Sequence, residues 1–230
     1  MDEMLIKPIA HIKTDFSDKF GLPRQSGIIP ELKGRIVFEP EYRDPNALRE
    51  IGKYTHLWLI WGFSANRKKA GWEPTVRPPR LGGNTRVGVF ATRSPYRPNP
   101  LGLTVVMLEK IEVTKEEGTV LVVSGTDMMD GTPIYDIKPY LAYVDAIPDA
   151  SDGFALSDKR GSLKVIFKNN TLGVMKKDEQ DILEKVLAQD PRPQYQGEPD
   201  RVYRMDYGSY CISFSISEGT VFVSEIKKKK

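Results

Sequence analysis

Leu103–Gly125 reads LTVVMLEKIEVTKEEGTVLVVSG. Two apolar, β-branched runs, Leu103 to Thr114 and Thr119 to Gly125, flank Lys115-Glu-Glu-Gly118, so the segment predicts an antiparallel hairpin with glycine at its turn. Upstream, Tyr54 to Phe63 (YTHLWLIWGF) is a continuous run of branched and aromatic residues, the pattern of a strand buried on both faces, and His56 belongs to that wall. Further strand-like runs lie at Leu5 to Ile12, where Pro8 allows only an edge position, at Gly34 to Glu39 and at Ile134 to Tyr140. Pro45 to Ile51 has helical spacing, with Asp44 placed as a cap ahead of Pro45. Strands recurring about every ten to fifteen residues, with scarcely any helix, predict an antiparallel barrel or sandwich.

Beyond this block the composition changes. Ile147 to Gly161 (IPDASDGFALSDKRG) is small and polar, as a linker is. Leu163 to Phe167 then reads as a strand. Asp178 to Gln189 predicts a helix, capped by Asp178 and carrying Ile182, Leu183, Val186 and Leu187 on one face; it stops at Asp190-Pro191. Val202 to Tyr207, Tyr210 to Ile216 and Thr220 to Ile226, separated by Gly208 and Glu218-Gly219, predict a small meander. The expected organisation is mainly β: an N-terminal domain over 1–148, a linker over 149–161 and a smaller C-terminal α+β domain over 162–230. Lys227 to Lys230 reads as a solvated tail.

Between the first strands and the hairpin lies Ala70–Gly102, AGWEPTVRPPRLGGNTRVGVFATRSPYRPNPLG, rich in Pro, Gly and Arg but enclosing a strand-like run, Val87 to Ala91. That combination predicts structured, function-bearing loops. From Arg67 to Arg97 there are eight basic residues and one acid, Glu73, whereas the whole chain carries a net charge of only +3. The cationic character is therefore local, and it implies an anionic partner. One cysteine and two histidines leave no internal disulfide and no Cys/His metal cluster, so a metal-independent chemistry is expected. The acids in MDEMLIKPIA do not suit a signal peptide, and the longest apolar run, Leu57 to Phe63, falls far short of the roughly 20 residues a bilayer requires. The expectation is a cytoplasmic protein.

No serine elbow, dinucleotide fingerprint or phosphate-binding loop is present. Three constellations remain. Leu81 to Ser94 combines Gly82-Gly83-Asn84 with Arg93 at the end of a strand-like run: the glycines allow close backbone approach, and the arginine offers a fork to a carboxylate or phosphate. A salt bridge to Asp127 or Asp130 is the structural alternative for Arg93. Asp127-Met-Met-Asp-Gly-Thr-Pro133 sets two carboxylates around a glycine turn, able to hold a ribose diol or an amino group, or simply to form an Asx-type turn. Asp190-Pro-Arg-Pro-Gln-Tyr195 presents Arg192 beside Tyr195, a pair suited to a phosphate and a base, or equally to a packing corner.

Together, Pro23-Arg-Gln25, Thr75-Val-Arg-Pro-Pro-Arg-Leu-Gly-Gly-Asn84, Gly88-Val-Phe-Ala-Thr-Arg-Ser94, Arg97-Pro-Asn-Pro-Leu-Gly102, Asp130-Gly-Thr-Pro133, Asp136-Ile-Lys-Pro-Tyr140 and Asp190-Pro-Arg-Pro193 resemble the TsaA-like family of tRNA methyltransferases along nearly the whole chain. The resemblance implies an N-terminal antiparallel β-barrel that binds S-adenosylmethionine without a Rossmann domain, a homodimer whose partner subunit completes the site, and methylation of the exocyclic nitrogen of N6-threonylcarbamoyladenosine at tRNA position 37. It places the methyl donor against Pro23, Arg24, Gln25, Ser64, Ala65, Arg93, Leu103, Asp127, Met128, Met129 and Asp130. Ser64-Ala65 stand where many bacterial relatives have His-Gln, and a serine cannot reproduce an imidazole contact. The basic belt of Arg77, Arg80, Arg86 and Arg97, with Arg192 and Tyr195, would meet the anticodon stem-loop. Asn99, in a motif that distantly resembles the Asn-Pro-Pro-aromatic element of other amino-methyltransferases, is the candidate acceptor near the reacting nitrogen. A non-catalytic regulator that binds S-adenosylmethionine or RNA is the alternative from another class.

Overall fold

A computed structural model of the chain describes residues 3–65, 72–78, 81, 83–154, 162–168, 171–192 and 201–229. Arg67, Lys68, Lys69, Arg80, Gly82 and Tyr195 of the sequence reading lie outside the described residues. The chain is mainly β. It divides into two compact units, each assembled from separated pieces: 1–12, 35–123 and 131–159 form the first, and 13–34, 124–130 and 160–230 the second.

Six strands make the sheet that dominates the first unit: β1 (Ala10–Lys13), β2 (Lys33–Phe38), β3 (His56–Gly62), β6 (Leu101–Thr114), β7 (Gly118–Ser124) and β8 (Thr132–Pro139). Their hydrogen-bonded order, β1-β2-β7-β6-β3-β8, closes on itself because β1 also pairs with β8. Alternation of side chains across the pleat builds the interior: Ile36 and Phe38, Leu57 and Leu59, Thr104 and Val106 are buried while the residues between them are not. The expected hairpin is present as β6 and β7, with Gly118 at positive φ in its turn.

In the first unit three expectations need correction. The Tyr54–Phe63 run is not buried on both faces: Leu57, Leu59 and Trp61 are buried, whereas His56, Trp58 and Ile60 are only partly covered. The outer face is instead occupied by a local cover. The Trp58 indole donates to Asp145 Oδ2 at 3.0 Å, and its ring packs on Tyr140 at 5.7 Å, at the end of the short helix α1 (Ala142–Asp145). Pro45–Ile51 is not one helix but two short 3-10 turns, Pro45–Leu48 and Ile51–Lys53, separated by Glu50 at φ 71°, a left-handed conformation that a continuous helix cannot contain. The Asp44 cap itself forms, accepting from the Asn46 amide at 2.9 Å. Val87–Ala91 is strand only over Val87–Gly88 (β5), which pairs with Thr75–Val76 (β4); Val89–Ala91 tightens into a 3-10 turn that buries Val89 and leaves Phe90 out.

In the second unit β10 (Tyr203–Tyr207), β11 (Tyr210–Ser217) and β12 (Thr220–Lys228) form the expected meander, and β9 (Lys164–Phe167) adds in parallel to β12. Gly208, and Glu218 with Gly219, turn the chain at positive φ. Helix α2 (Lys177–Ala188) buries Leu183, Val186 and Leu187 in the same core. Its cap differs from the expected one: Asp178 lies inside the first turn, and Glu179 reaches back to accept from the Lys176 amide at 2.9 Å. The early loop belongs to this unit as well. Phe16, Ile29 and Leu32 are part of the core, and Phe20 stacks on Tyr203 and Phe214. Gly21, at φ 93°, lies so close to Met205 that an added Cβ would collide with its sulfur. Among the described residues no helix is long and apolar enough to cross a membrane.

Candidate functional site

The site residues read from the sequence fall into two groups. Ser64, Ala65, Arg77, Arg86, Arg93, Arg97, Asn99 and Leu103 belong to the first unit; Pro23, Arg24, Gln25, Asp127 to Asp130 and Arg192 belong to the second.

In the first unit the arginine-rich excursion is fastened at both ends. Its ribbon, β4 with β5, is extended by the Val89 amide donating to Pro74 O at 2.9 Å, and Arg86 crosses it to reach Thr75 Oγ1 at 2.8 Å. The descent into β6 is a chain of short polar turns: Thr92 Oγ1 donates to Val89 O at 2.8 Å, the Ser94 amide to Thr92 Oγ1 at 3.2 Å, and the Tyr96 amide to Ser94 Oγ at 3.2 Å. Arg97 turns back to the Thr92 carbonyl at 3.1 Å, with its guanidinium 6.0 Å from the centre of the Phe90 ring. Asn99 is exposed; its carbonyl accepts from Leu101 N at 2.7 Å, and the neighbouring Pro100 carbonyl accepts from Phe63 N at 3.0 Å. Ser64, Ala65 and Arg93 are exposed, and Leu103 leaves 57% of its surface to solvent although it lies on a strand.

In the second unit the two donor-contact segments implied by the resemblance are tied to one another: the Gly27 amide donates to Gly125 O at 3.1 Å, and the Thr126 amide to Leu32 O at 3.3 Å. The Asp127–Asp130 turn is held from the other side. Thr14 donates its amide to Asp130 Oδ1 at 3.1 Å and its hydroxyl to Met128 O at 3.0 Å, while Asp130 N donates to Phe16 O at 2.8 Å. Met128 is fully buried, so its side chain serves packing; Asp127 and Met129 are half-buried and Asp130 exposed. Pro23 is buried, and Gln25 donates to Arg24 O at 2.6 Å. The packing of this loop into the second core escaped the sequence reading; its one signal was Phe16, Phe20, Ile29 and Leu32, large apolar residues scattered without periodicity.

Arg192 forms the corner that composition left open. Its Nε and Nη2 donate to Asp190 Oδ1 and Oδ2 at 2.8 and 2.9 Å, a two-pronged contact that matches guanidinium to carboxylate. Burial alone would raise the Asp190 pKa, but the hydrogen bonds and charge of Arg192, with the charge of Arg24, outweigh it and hold the carboxyl below its usual range. Much of the Arg192 fork is therefore used within the protein.

A cavity of about 430 Å³ in the second unit is lined by Thr14, Asp15, Ser17, Asp130, Glu179 and residues 207–210. Burial, then the charges of Glu179 and Asp130, push the Asp15 carboxyl above its ordinary value, and burial with the charges of Asp15, Glu179 and Asp178 raises Tyr207.

The first unit thus carries a loop crowded with arginine and proline, and the second a turn, bearing two carboxylates, that Thr14 and Phe16 hold by hydrogen bonds. Residues 11–146 match the profile of the tRNA-methyltransferase O N-terminal domain, and residues 160–229 that of the TrmO C-terminal domain. The chain belongs to the TrmO family. It is 39% identical over 201 residues to a protein of Escherichia coli (strain K12) named tRNA (adenine(37)-N6)-methyltransferase, covering 85% of each chain. It is also 39% identical over 206 residues to a Pseudomonas aeruginosa protein named putative S-adenosylmethionine-dependent methyltransferase RcsF, covering 86% of each. A crystal structure of TrmO superposes with a TM-score of 0.78 at 30% identity, covering 98% of this chain and 99% of that one.

Proposed function

We propose that this chain is an S-adenosylmethionine-dependent tRNA methyltransferase acting on the N6 nitrogen at position 37, with N6-threonylcarbamoyladenosine as its substrate. The observation that carries the reading is the match to both TrmO domain profiles across nearly the full chain, with relatives named for that reaction. The chemistry of the side chains fits the donor: Arg93 suits its carboxylate, Asp127 and Asp130 its ribose hydroxyls or ammonium, and exposed Leu103 an apolar face of its adenine.

When bound, S-adenosylmethionine supplies a methyl group activated by its sulfonium. The displacement is in line and needs orientation and exclusion of water more than a covalent nucleophile, which accords with the lack of a serine elbow or similar catalytic motif in the sequence. The reacting nitrogen belongs to a urea-like group; as its bond to the methyl carbon forms, the carbon–sulfur bond of the donor breaks with the electron pair staying on sulfur, and the nitrogen's proton passes to solvent. Asn99, with its exposed amide next to the anchored Pro100, is the residue we assign to orient that N–H. Arg77, Arg80, Arg86 and Arg97 meet anticodon-stem phosphates, and Tyr195, beside an Arg192 whose fork is taken up by Asp190, adds a ring for base stacking. We further propose that the closed order of the six-stranded sheet makes it the β-barrel implied by the resemblance, that the enzyme is a homodimer, and that it works in the cytoplasm.

The test is nucleoside mass spectrometry of tRNA from cells with and without the gene. Loss of N6-methyl-N6-threonylcarbamoyladenosine, with its unmethylated precursor accumulating, is the expected result; identical nucleoside profiles would reject the reading.

A further inference from the structure

Three aromatic side chains of the arginine-rich excursion are left in solvent: Phe90 is 70% exposed, Tyr96 54% and Trp72 53%. Their exposure is imposed by the turn around them. Val89, 1% exposed, is pinned inward by its amide bond to Pro74 O and by Thr92 below it, so the next residue must leave the core. Trp72 enters the β4–β5 ribbon and Phe90 leaves it, which brings the two rings to 6.0 Å between centres with a tilt of 32°. Arg97, held by the Thr92 carbonyl, sets its guanidinium 6.0 Å from the centre of the Phe90 ring. Arg77 and Arg86 flank the same ribbon.

Two large apolar side chains side by side in water are an unfavourable use of surface for the free protein. What they fit is a flat, apolar partner that carries negative charge next to it. A nucleobase in an unpaired RNA segment has both: a π-face for stacking and a phosphate within reach of an adjacent guanidinium. Resting on the tRNA reading above, we propose that Phe90 and Trp72 form a stacking platform for an unpaired nucleobase of the anticodon loop, with Arg97 as the cation that holds both the platform and the adjoining phosphate. The platform acts without base-specific hydrogen bonds. It anchors a neighbour of the reacting nucleotide while the reacting base goes elsewhere.

The test uses the full-length protein and an anticodon stem-loop RNA with 2-aminopurine placed in turn at each loop position. Phe90→Leu and Trp72→Leu remove a π-face while keeping bulk. Each is expected to weaken binding by about 5- to 150-fold, the range for loss of one base–aromatic stack, and to abolish the 2-aminopurine quenching at one loop position. The salt slope is expected to stay unchanged in both, because no phosphate contact is lost, whereas Arg97→Ala flattens it by about 0.7. Phe90→Tyr, which keeps the ring, is expected to restore wild-type affinity. Wild-type affinity and quenching in both Leu variants, with intact protein binding normally, would overturn the platform and leave the methyltransferase reading standing. A change of sedimentation from dimer to monomer in the same variants would also overturn it, since the patch would then join two copies of the chain. Failure of the unaltered protein to bind any stem-loop would overturn both the platform and the tRNA reading.

Discussion

The indole of Trp61 lies on the α-carbon of Gly102. The two residues are direct partners across β3 and β6, and a Cβ added at position 102 would run into the ring. Trp61 is buried, donates through Nε1 to Thr104 Oγ1 at 2.9 Å, and packs on Phe63 at 4.5 Å between ring centres; Phe63 in turn holds the Pro100 carbonyl. The glycine ending Arg97-Pro-Asn-Pro-Leu-Gly102 is thus a seat for a tryptophan, and that seat fixes where Asn99 stands.

Gly102→Ala is therefore expected to overpack this contact and lower stability by about 1–3 kcal/mol. Chemical denaturation followed by tryptophan fluorescence checks it. An unchanged midpoint would mean that β3 and β6 slide apart at no cost.

Arg93 and Asn99 separate binding from chemistry. Arg93→Ala is expected to weaken S-adenosylmethionine binding by about 1.5–3 kcal/mol, the loss of one charge-assisted hydrogen bond, as read by calorimetry. Asn99→Ala is expected to leave donor affinity intact and to lower the single-turnover methylation rate, because the proposed contact is to the reacting group rather than to the donor. A wild-type rate in the Asn99 variant would remove that residue from the mechanism.

The acidic pocket of the second unit gives a pH signature. Asp15 is raised in the folded state, by burial first and then by Glu179 and Asp130, so its contribution to stability is fully present below the ordinary carboxylate range and is lost as pH rises through the raised value. Asp15→Asn keeps the shape without the charge. Its melting temperature relative to the unaltered protein is expected to increase from pH 4 to pH 7; a constant difference across that range would show that Asp15 ionises in the pocket without penalty.

Arg77 and Arg192 are expected to behave differently although both were read from the sequence as RNA contacts. Arg77 is exposed, and Arg77→Ala is expected to flatten the salt dependence of RNA binding by about 0.7–0.9. Arg192 already grips Asp190, so Arg192→Ala leaves a half-buried carboxylate without its fork and is expected to lower stability by about 1 kcal/mol after allowance for solvent screening. Equal salt-slope changes in the two variants would contradict this distinction.

The parts of the fold that rest on local pattern were legible in the sequence: the β6–β7 hairpin with Gly118, the meander with Gly208 and Gly219, and the apolar face of α2. What escaped is long-range. Phe16, Phe20, Ile29 and Leu32 form no periodic pattern, so their membership of the C-terminal core could not be read from neighbours in sequence. Trp58 reads as core by hydropathy, yet its indole N–H requires a polar partner and found one in Asp145, 87 residues away. Glu50 carries no sequence sign of its left-handed backbone, which divides the expected helix into two turns. The motifs that carried the family resemblance were legible because they depend on residue identity; which unit each belongs to was not, because that depends on the path of the chain.

The reaction itself is tested most directly by incubating the purified protein with S-adenosylmethionine labelled in its methyl group and tRNA that carries threonylcarbamoyladenosine at position 37. Label is expected to enter the RNA and to be recovered, after digestion, on the N6 nitrogen of that one nucleoside, with tRNA lacking the threonylcarbamoyl group left unlabelled. Donor binding without transfer of label to any form of the tRNA would contradict the enzyme account.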